Sequence, residues 1–167
     1  MLKVLILGSN SFIGKHLIKH LAEERKDVLL TLFGKNLPDD LEKLRFIQGD
    51  FRDAESLKKA LEGQDIVYHF ISSTIPANSW DLPLIEVERN LLPFLKFIEL
   101  SAQSGIRKVC FASSGGTVYG YQQDLLTEES LTEPFSPYGI IKRTCESFLQ
   151  YARQRYQMNY DIYRVSN

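Results

Sequence analysis

Apolar residues gather in runs of strand length at Leu2–Leu7, Val28–Phe33, Arg45–Gln48, Ile66–Ile71, Val109–Ser113 and Tyr160–Val165, and helix-length segments separate most of them. Strands that alternate with helices predict a doubly wound α/β fold, a parallel sheet with helices on both faces. In the first helical segment Ile13, Leu17, Ile18 and Leu21 recur at three-to-four spacing, one apolar stripe for the sheet, while Lys15, Lys19 and Glu23 face water. A longer helical stretch, about Leu84 to Gln103, contains Pro93, which has no backbone N–H and predicts a start, kink or break there. Residues Gly120 to Pro137 mix Gly, Pro and acidic side chains without a period and read as a long surface loop.

With 167 residues the chain has the size of one domain and can bury roughly 70% of its unfolded surface. Lys and Arg number 20 against 21 Asp and Glu, so no charge excess points to nucleic acid or an anionic membrane, and small-molecule partners are expected. Cys110 and Cys145 lack the spacing of a zinc site or disulfide framework and read as reduced core thiols. The early apolar run ends at Gly8, too short for a signal sequence or membrane span, so a cytoplasmic protein is expected. His16 and His20 have ligand spacing but no third ligand in view; a solvated helix face is the expectation, with no metal. His69, in the fourth strand, reads as a packed core histidine.

The first strand runs into Gly8-Ser9-Asn10-Ser11-Phe12-Ile13-Gly14 and then a helix. A doubly wound fold binds dinucleotides at such a turn, because a bare backbone and a helix N-terminus with free N–H groups receive a pyrophosphate. Gly8 and Gly14 supply the ends of a G-x-x-G-x-x-G pattern whose middle position is Ser11, which can still approach phosphate. The second strand ends Phe33-Gly34-Lys35-Asn36, without the acid that would accept from an adenosine 2′-hydroxyl. Lys35 could pair with a 2′-phosphate, which keeps NADP open beside NAD, or be a solvated loop lysine. Asp50, after the third strand, could accept from the adenine amino group or cap the next helix, a role Asp53 suits better.

The strongest signal is Ser136-Pro137-Tyr138-Gly139-Ile140-Ile141-Lys142, opening a helix on which Tyr138 and Lys142 share one face. Lowering a phenol pKa from about 10 to about 7 requires roughly 4 kcal/mol, which one cation about 4 Å away could nearly supply. Lys142 and an oxidised nicotinamide ring together would suffice. Such a tyrosine can take the proton of a sugar hydroxyl while hydride leaves the same carbon. The pair gains weight because it follows the nucleotide-binding turn and a strand ending Ser113-Ser114-Gly115-Gly116-Thr117-Val118-Tyr119-Gly120.

Over its whole length the chain resembles the extended short-chain dehydrogenase/reductase family, in particular its NAD-dependent sugar-nucleotide epimerase and dehydratase branch. The resemblance rests on the glycine turn, Gly49-Asp50, the strand Asp65 to Phe70, Asn90, the Ser-Ser-Gly-Gly-Thr-Val-Tyr-Gly stretch, Ser-Pro-Tyr-Gly-x-x-Lys and the closing Arg164 to Asn167. It implies a Rossmann fold spanning residues 1–167, with Tyr138 as base and Lys142 on the nicotinamide ribose. Gly8, Ser11, Phe12, Ile13, Gly14, Lys35, Asp50, Phe51, Phe70, Ser72, Thr74, Asn90 and Ser113 would lie along the cofactor, and Asn167 would touch the substrate's diphosphate. It further implies a smaller substrate-binding domain after Asn167 and, without it, an inactive fragment. The family's assisting serine or threonine falls at Gly115, so Ser114 or Thr117 is expected to take over.

The same stretch sorts the reactions. Dehydratases of the family carry an acidic pair at the positions of Gly116 and Thr117, decarboxylases a glutamate at the second, and keto-reductases of the fucose-synthase type a cysteine there; none is present. Reversible hydride transfer at a UDP-hexose with bound NAD, a 4-epimerase-like reaction, survives the comparison. An NADP-dependent reductase and a non-catalytic NAD(P) sensor remain as alternatives. Ser79 and Trp80 could border the sugar, and Ile140, Ile141, Phe148 and Tyr151 could add to a homodimer face.

Overall fold

The computed structural model describes residues 1–37, 41, 44–122 and 125–166. In chain order the elements are β1 (Leu2–Leu7), α1 (Phe12–Glu24), β2 (Val28–Gly34), β3 (Arg45–Gln48), α2 (Ala54–Leu61), β4 (Ile66–His69), α3 (Pro76–Ser79) and α4 (Pro83–Glu86). A π-helical turn over Val87–Leu91 then leads into α5 (Leu92–Gln103), β5 (Lys108–Ser114), α6 (Gly115–Val118), α7 (Pro137–Tyr156) and β6 (Asn159–Val165). All six strands are parallel in the order β3-β2-β1-β4-β5-β6, so the strand order reverses between β1 and β4. A reversal of this kind opens a crevice at the carboxyl ends of the two strands, where such folds bind ligands.

Alternation along β1 divides the core. Leu5 and Leu7 join the larger cluster, under α2, α5 and α7, with Phe33, Val67, Phe94, Phe97 and Phe111. Val4 and Ile6 join the smaller one, with Ile18, Leu30 and Leu32. On α1, Ile18 is buried and Leu17 and Leu21 pack against that smaller cluster, as their spacing predicts. Ile13 departs from the stripe: it is exposed and borders the crevice. The long helical stretch breaks where Pro93 requires, since Pro93 lies in the first turn of α5, directly after the π-helical turn.

β4 ends at His69, two residues short of its apolar run. Gly8, at φ +87°, turns the chain out of β1, and a Cβ there would lie 3.0 Å from the Phe70 carbonyl carbon. Phe70 N–H still donates to Leu7 O at 2.9 Å. Beyond it the neighbouring strand has turned away, and Ile71 and Ser72 line the opening instead.

His69 is 3% exposed, ringed by Phe51, Phe94, Phe97 and Phe111 at centroid distances of 4.9 to 5.6 Å. Burial, and then the charge of Lys142, hold its pKa down at about 3. The neutral imidazole is the folded form, so stability is full above the unfolded pKa near 6.5 and declines as pH falls toward 3. His69→Leu is expected to remove about 2 kcal/mol of the stability difference between pH 6.5 and 5, read by urea melts at the two pH values. An identical slope in the variant would refute this account of His69.

Candidate active site

Ser11 caps α1: its Oγ accepts from Gly14 N at 3.0 Å, and its carbonyl receives the first helical bond, from Lys15 N. The N–H groups of Phe12 and Ile13 remain without an intrahelical partner and suit an anion. Gly14 is required here, since a Cβ would clash with Gly8 O and press against Ser11 Oγ at 2.8 Å. From this turn a groove of about 320 Å³ runs over Gly8, Ser11, Phe33, Gly34, Lys35, Gly49, Phe51 and Phe70. It adjoins a cleft of about 300 Å³ lined by Ser11, Phe12, Ile13, Phe70, Ser72, Ser113, Ser114, Tyr138 and Lys142. Ser11, Phe70 and Ser72 belong to both, so the two form one trough across the strand-order reversal.

At the groove's outer end a Cβ on Gly34 would make only ordinary contacts, the nearest 3.7 Å from Ser9 Oγ, so the wall is open. Asp50 receives Arg52 in a two-point contact at 3.0 and 2.6 Å and Lys35 at 3.2 Å. The Arg52 guanidinium holds its carboxyl well below the usual carboxylate range, with Lys35 adding to the effect. Lys35 is therefore an ion-paired side chain rather than a free one. Asp53, not Asp50, caps α2, accepting from Ser56 N at 3.0 Å.

Tyr138 and Lys142 come from the first turns of α7, which Ser136 caps through Gly139 N at 3.1 Å. Lys142 Nζ donates to Ala112 O at 2.8 Å and lies 4.8 Å from the Phe111 ring centroid and 5.6 Å from that of Tyr138. Burial brings its pKa down to about 8. In the protein alone the Tyr138 phenol moves up; the lowering expected from the sequence requires an oxidised nicotinamide ring together with Lys142. Burial dominates, the Ser72 hydroxyl opposes it and the charge of Glu86 adds to it; the Lys142 ammonium is turned to Ala112.

The three hydroxyls near this pair have different fates. Ser113 Oγ donates to the buried Glu146 at 2.5 Å and is committed. Ser114 is half-buried, makes no capping bond to α6 and lines the cleft beside Tyr138. Thr117 Oγ1 is buried, meets no protein partner and lies outside the cleft lining. Gly115 has no room for a side chain, since a Cβ would lie 2.9 Å from Arg164 O and 3.3 Å from Val165 O at the end of β6.

Thr74 and Asn90 stand behind the trough. Asn90 Oδ1 accepts from Ser73 N at 2.9 Å and from Ser73 Oγ at 2.8 Å. Its Nδ2 donates to Thr74 Oγ1 at 2.9 Å and to Glu86 Oε2 at 2.8 Å. Asn90 thus pins the loop after β4 to the helical stretch. Glu86, 1% exposed and close enough to Tyr138 to act on it, escapes a sequence reading built on motifs. An acid inside Leu84-Ile85-Glu86-Val87, one helical turn before Asn90, is the signal that could have found it.

His16 and His20 are exposed, His16 Nδ1 lying 2.8 Å from Phe12 O. Both cysteines are buried thiols. Ser79 is fully buried with its hydroxyl on Pro76 O, whereas Trp80 is exposed near Phe135, on which Tyr121 stacks. Ile141 is buried in the core and unavailable to a partner, while Ile140 and Tyr151 are exposed. Asn167 lies outside the described residues. Among the described residues no helix is long and apolar enough to cross a membrane.

A six-stranded parallel sheet with a glycine turn at its reversal and a Tyr-x-x-x-Lys helix facing it defines a Rossmann-type short-chain dehydrogenase/reductase domain. The chain belongs to the NAD dependent epimerase/dehydratase family, whose pattern it matches over residues 4–167. It is 28% identical to a UDP-glucose 4-epimerase of Lactobacillus helveticus, covering 99% of this chain and 52% of that protein. Among solved structures it resembles the UDP-glucose 4-epimerase of Thermus thermophilus in complex with NAD, at 26% identity and TM-score 0.85, over 96% of this chain and 54% of that one. The UDP-N-acetylglucosamine 4-epimerase of Methanobrevibacter ruminantium is similar at 28% identity and TM-score 0.83, over 96% and 53% of the two chains. The chain spans about half the length of the relatives it matches.

Proposed function

We propose that this chain is the cofactor-binding and proton-transferring domain of a sugar-nucleotide 4-epimerase-like enzyme, acting on a UDP-hexose with Tyr138 as the base. The observation that carries the reading is the single trough that joins the α1 N-terminus to Tyr138 and Lys142. Its features fit NAD: unpaired N–H groups at Phe12 and Ile13, a bare backbone at Gly8, an open wall at Gly34, and a buried ammonium at the far end. When bound there, NAD would supply the hydride acceptor and donor that reversible oxidation of a hydroxyl carbon requires. Phe12 and Ile13 would hold its pyrophosphate, Lys142 its nicotinamide ribose, and Phe51 and Phe70 would shield the groove from water.

Tyr138 Oη then takes the hydroxyl proton of the sugar and returns it, and Ser114 is the hydroxyl placed to hold the sugar oxygen against it. The phenol moves up in the protein alone, so the positive charge that makes it a base must arrive with the cofactor. Titration calorimetry of the 167-residue chain tests the reading. Saturable NAD binding is expected, with NADP within about tenfold because Lys35 must leave Asp50 to meet a 2′-phosphate. NADP favoured by more than tenfold, about 1.4 kcal/mol, would replace the epimerase with a reductase. Binding of neither would leave the fold without the proposed role.

A further inference from the structure

The residues behind Tyr138 line a small, partly open cavity of about 20 Å³, between β4, α4 with its π-helical continuation, and α7. One water molecule needs roughly 10–15 Å³ on the same measure. Two buried charges of opposite sign line it, Glu86 and Lys142, and no opposite charge lies within 4.0 Å of either among the described residues. Lys142 Nζ has a protein acceptor at Ala112 O, and two of its protons are free to point elsewhere. Glu86 Oε2 accepts from Asn90, while its Oε1 and both nitrogens of His69 meet no protein partner. The other buried carboxylate near Lys142, Glu146, is taken up by Arg164 at 2.8 and 3.1 Å and by Ser113.

An ammonium held only by one carbonyl and a carboxylate held only by one amide would each carry a desolvation penalty of several kcal/mol. A single water spans charged groups roughly 5–6 Å apart with two ordinary hydrogen bonds. We propose that Glu86 and Lys142 form a buried ion pair bridged by one water, with His69 as the water's third partner. Glu86 is thereby the positioning residue that keeps Lys142 an ammonium beside Tyr138. The groups facing Glu86 fit this assignment. His69 comes from β4 and is neutral, Tyr138, Lys142 and Cys145 come from α7, and Arg89, on the same helical stretch, is exposed at the cavity's rim. Burial lowers Lys142, and Cys145, Glu86 and Glu146 pull it back up.

The inference rests on the reading of Lys142 as the cation of the cofactor site, and its test separates the two. Glu86→Gln removes the charge but keeps an oxygen for Asn90. Side-chain ¹⁵N NMR of the 167-residue chain, with Lys142 assigned by its loss in Lys142→Met, should show Lys142 titrating at least about one pH unit lower in Glu86→Gln. Glu86→Asp should restore most of the difference. An unchanged Lys142 titration in folded Glu86→Gln would overturn the ion pair. Should that variant not fold, melting decides: Lys142→Met with Glu86→Gln must melt above Lys142→Met alone, and an equal or lower Tm would equally overturn it. NAD affinity unchanged in Lys142→Met would instead sink the functional reading and leave the ion pair to its titration.

Discussion

Tyr138→Phe, made in the longest natural polypeptide that contains these residues, should lower turnover of UDP-glucose or UDP-N-acetylglucosamine by at least about a hundredfold. NAD affinity should stay within about threefold, because the change removes an interaction that matters only as the proton moves. The ring itself is half-buried against the cleft, and phenylalanine keeps that packing. Ser114→Ala should follow in the same direction with a smaller loss, while Thr117→Val, whose hydroxyl is buried outside the cleft lining, should leave turnover within about threefold. Comparable losses from Thr117→Val and Ser114→Ala would show that α6 shifts when substrate binds. Near-normal turnover in Tyr138→Phe would remove the mechanism altogether.

The sheet was legible because its signal is local. Apolar runs and helical stripes report burial residue by residue, and six strands emerge within two residues of where the pattern places them. The glycine turn and the Tyr138–Lys142 pair were legible for a similar reason, as short-range spacings imposed by one turn and one helix. What stayed open depends on residues far apart in sequence. Why position 115 carries no hydroxyl becomes visible only with β6, about 50 residues later, whose backbone leaves no room for a side chain at Gly115. Lys35 looks free until the fold brings Asp50 to it. The upward shift of the Tyr138 phenol depends on depth of burial and on Glu86, neither of which a four-residue spacing encodes.

Arg164→Ala should destabilise the chain by about 3–5 kcal/mol, the range for stripping one partner from a buried ion pair. Its Nε and Nη2 hold Glu146 at 3.1 and 2.8 Å, and its Nη1 donates to Tyr119 Oη at 2.9 Å and to Glu128 O at 3.1 Å. The guanidinium also lies 4.9 Å from the Tyr119 ring centroid. Without it Glu146, 1% exposed, keeps Ser113 but loses its two-point cation, and Arg143 at 3.9 Å is too distant to replace it. A domain has only about 5–15 kcal/mol in total, so thermal melting should fall by roughly 6–20 °C. Arg164→Lys should recover little, since one ammonium cannot serve Glu146 and Tyr119 together. Adding Glu146→Leu to Arg164→Ala should recover most of the loss, because an apolar replacement leaves no stranded charge. The consequence reaches the site: Arg164 ties β6 to the Ser113-Ser114-Gly115 corner through Glu146 and Tyr119, and that corner sets where Ser114 stands relative to Tyr138. A loss below about 1 kcal/mol in Arg164→Ala would mean that Glu146 is not held as an ion, and the corner would have to be fixed by backbone packing at Gly115 alone.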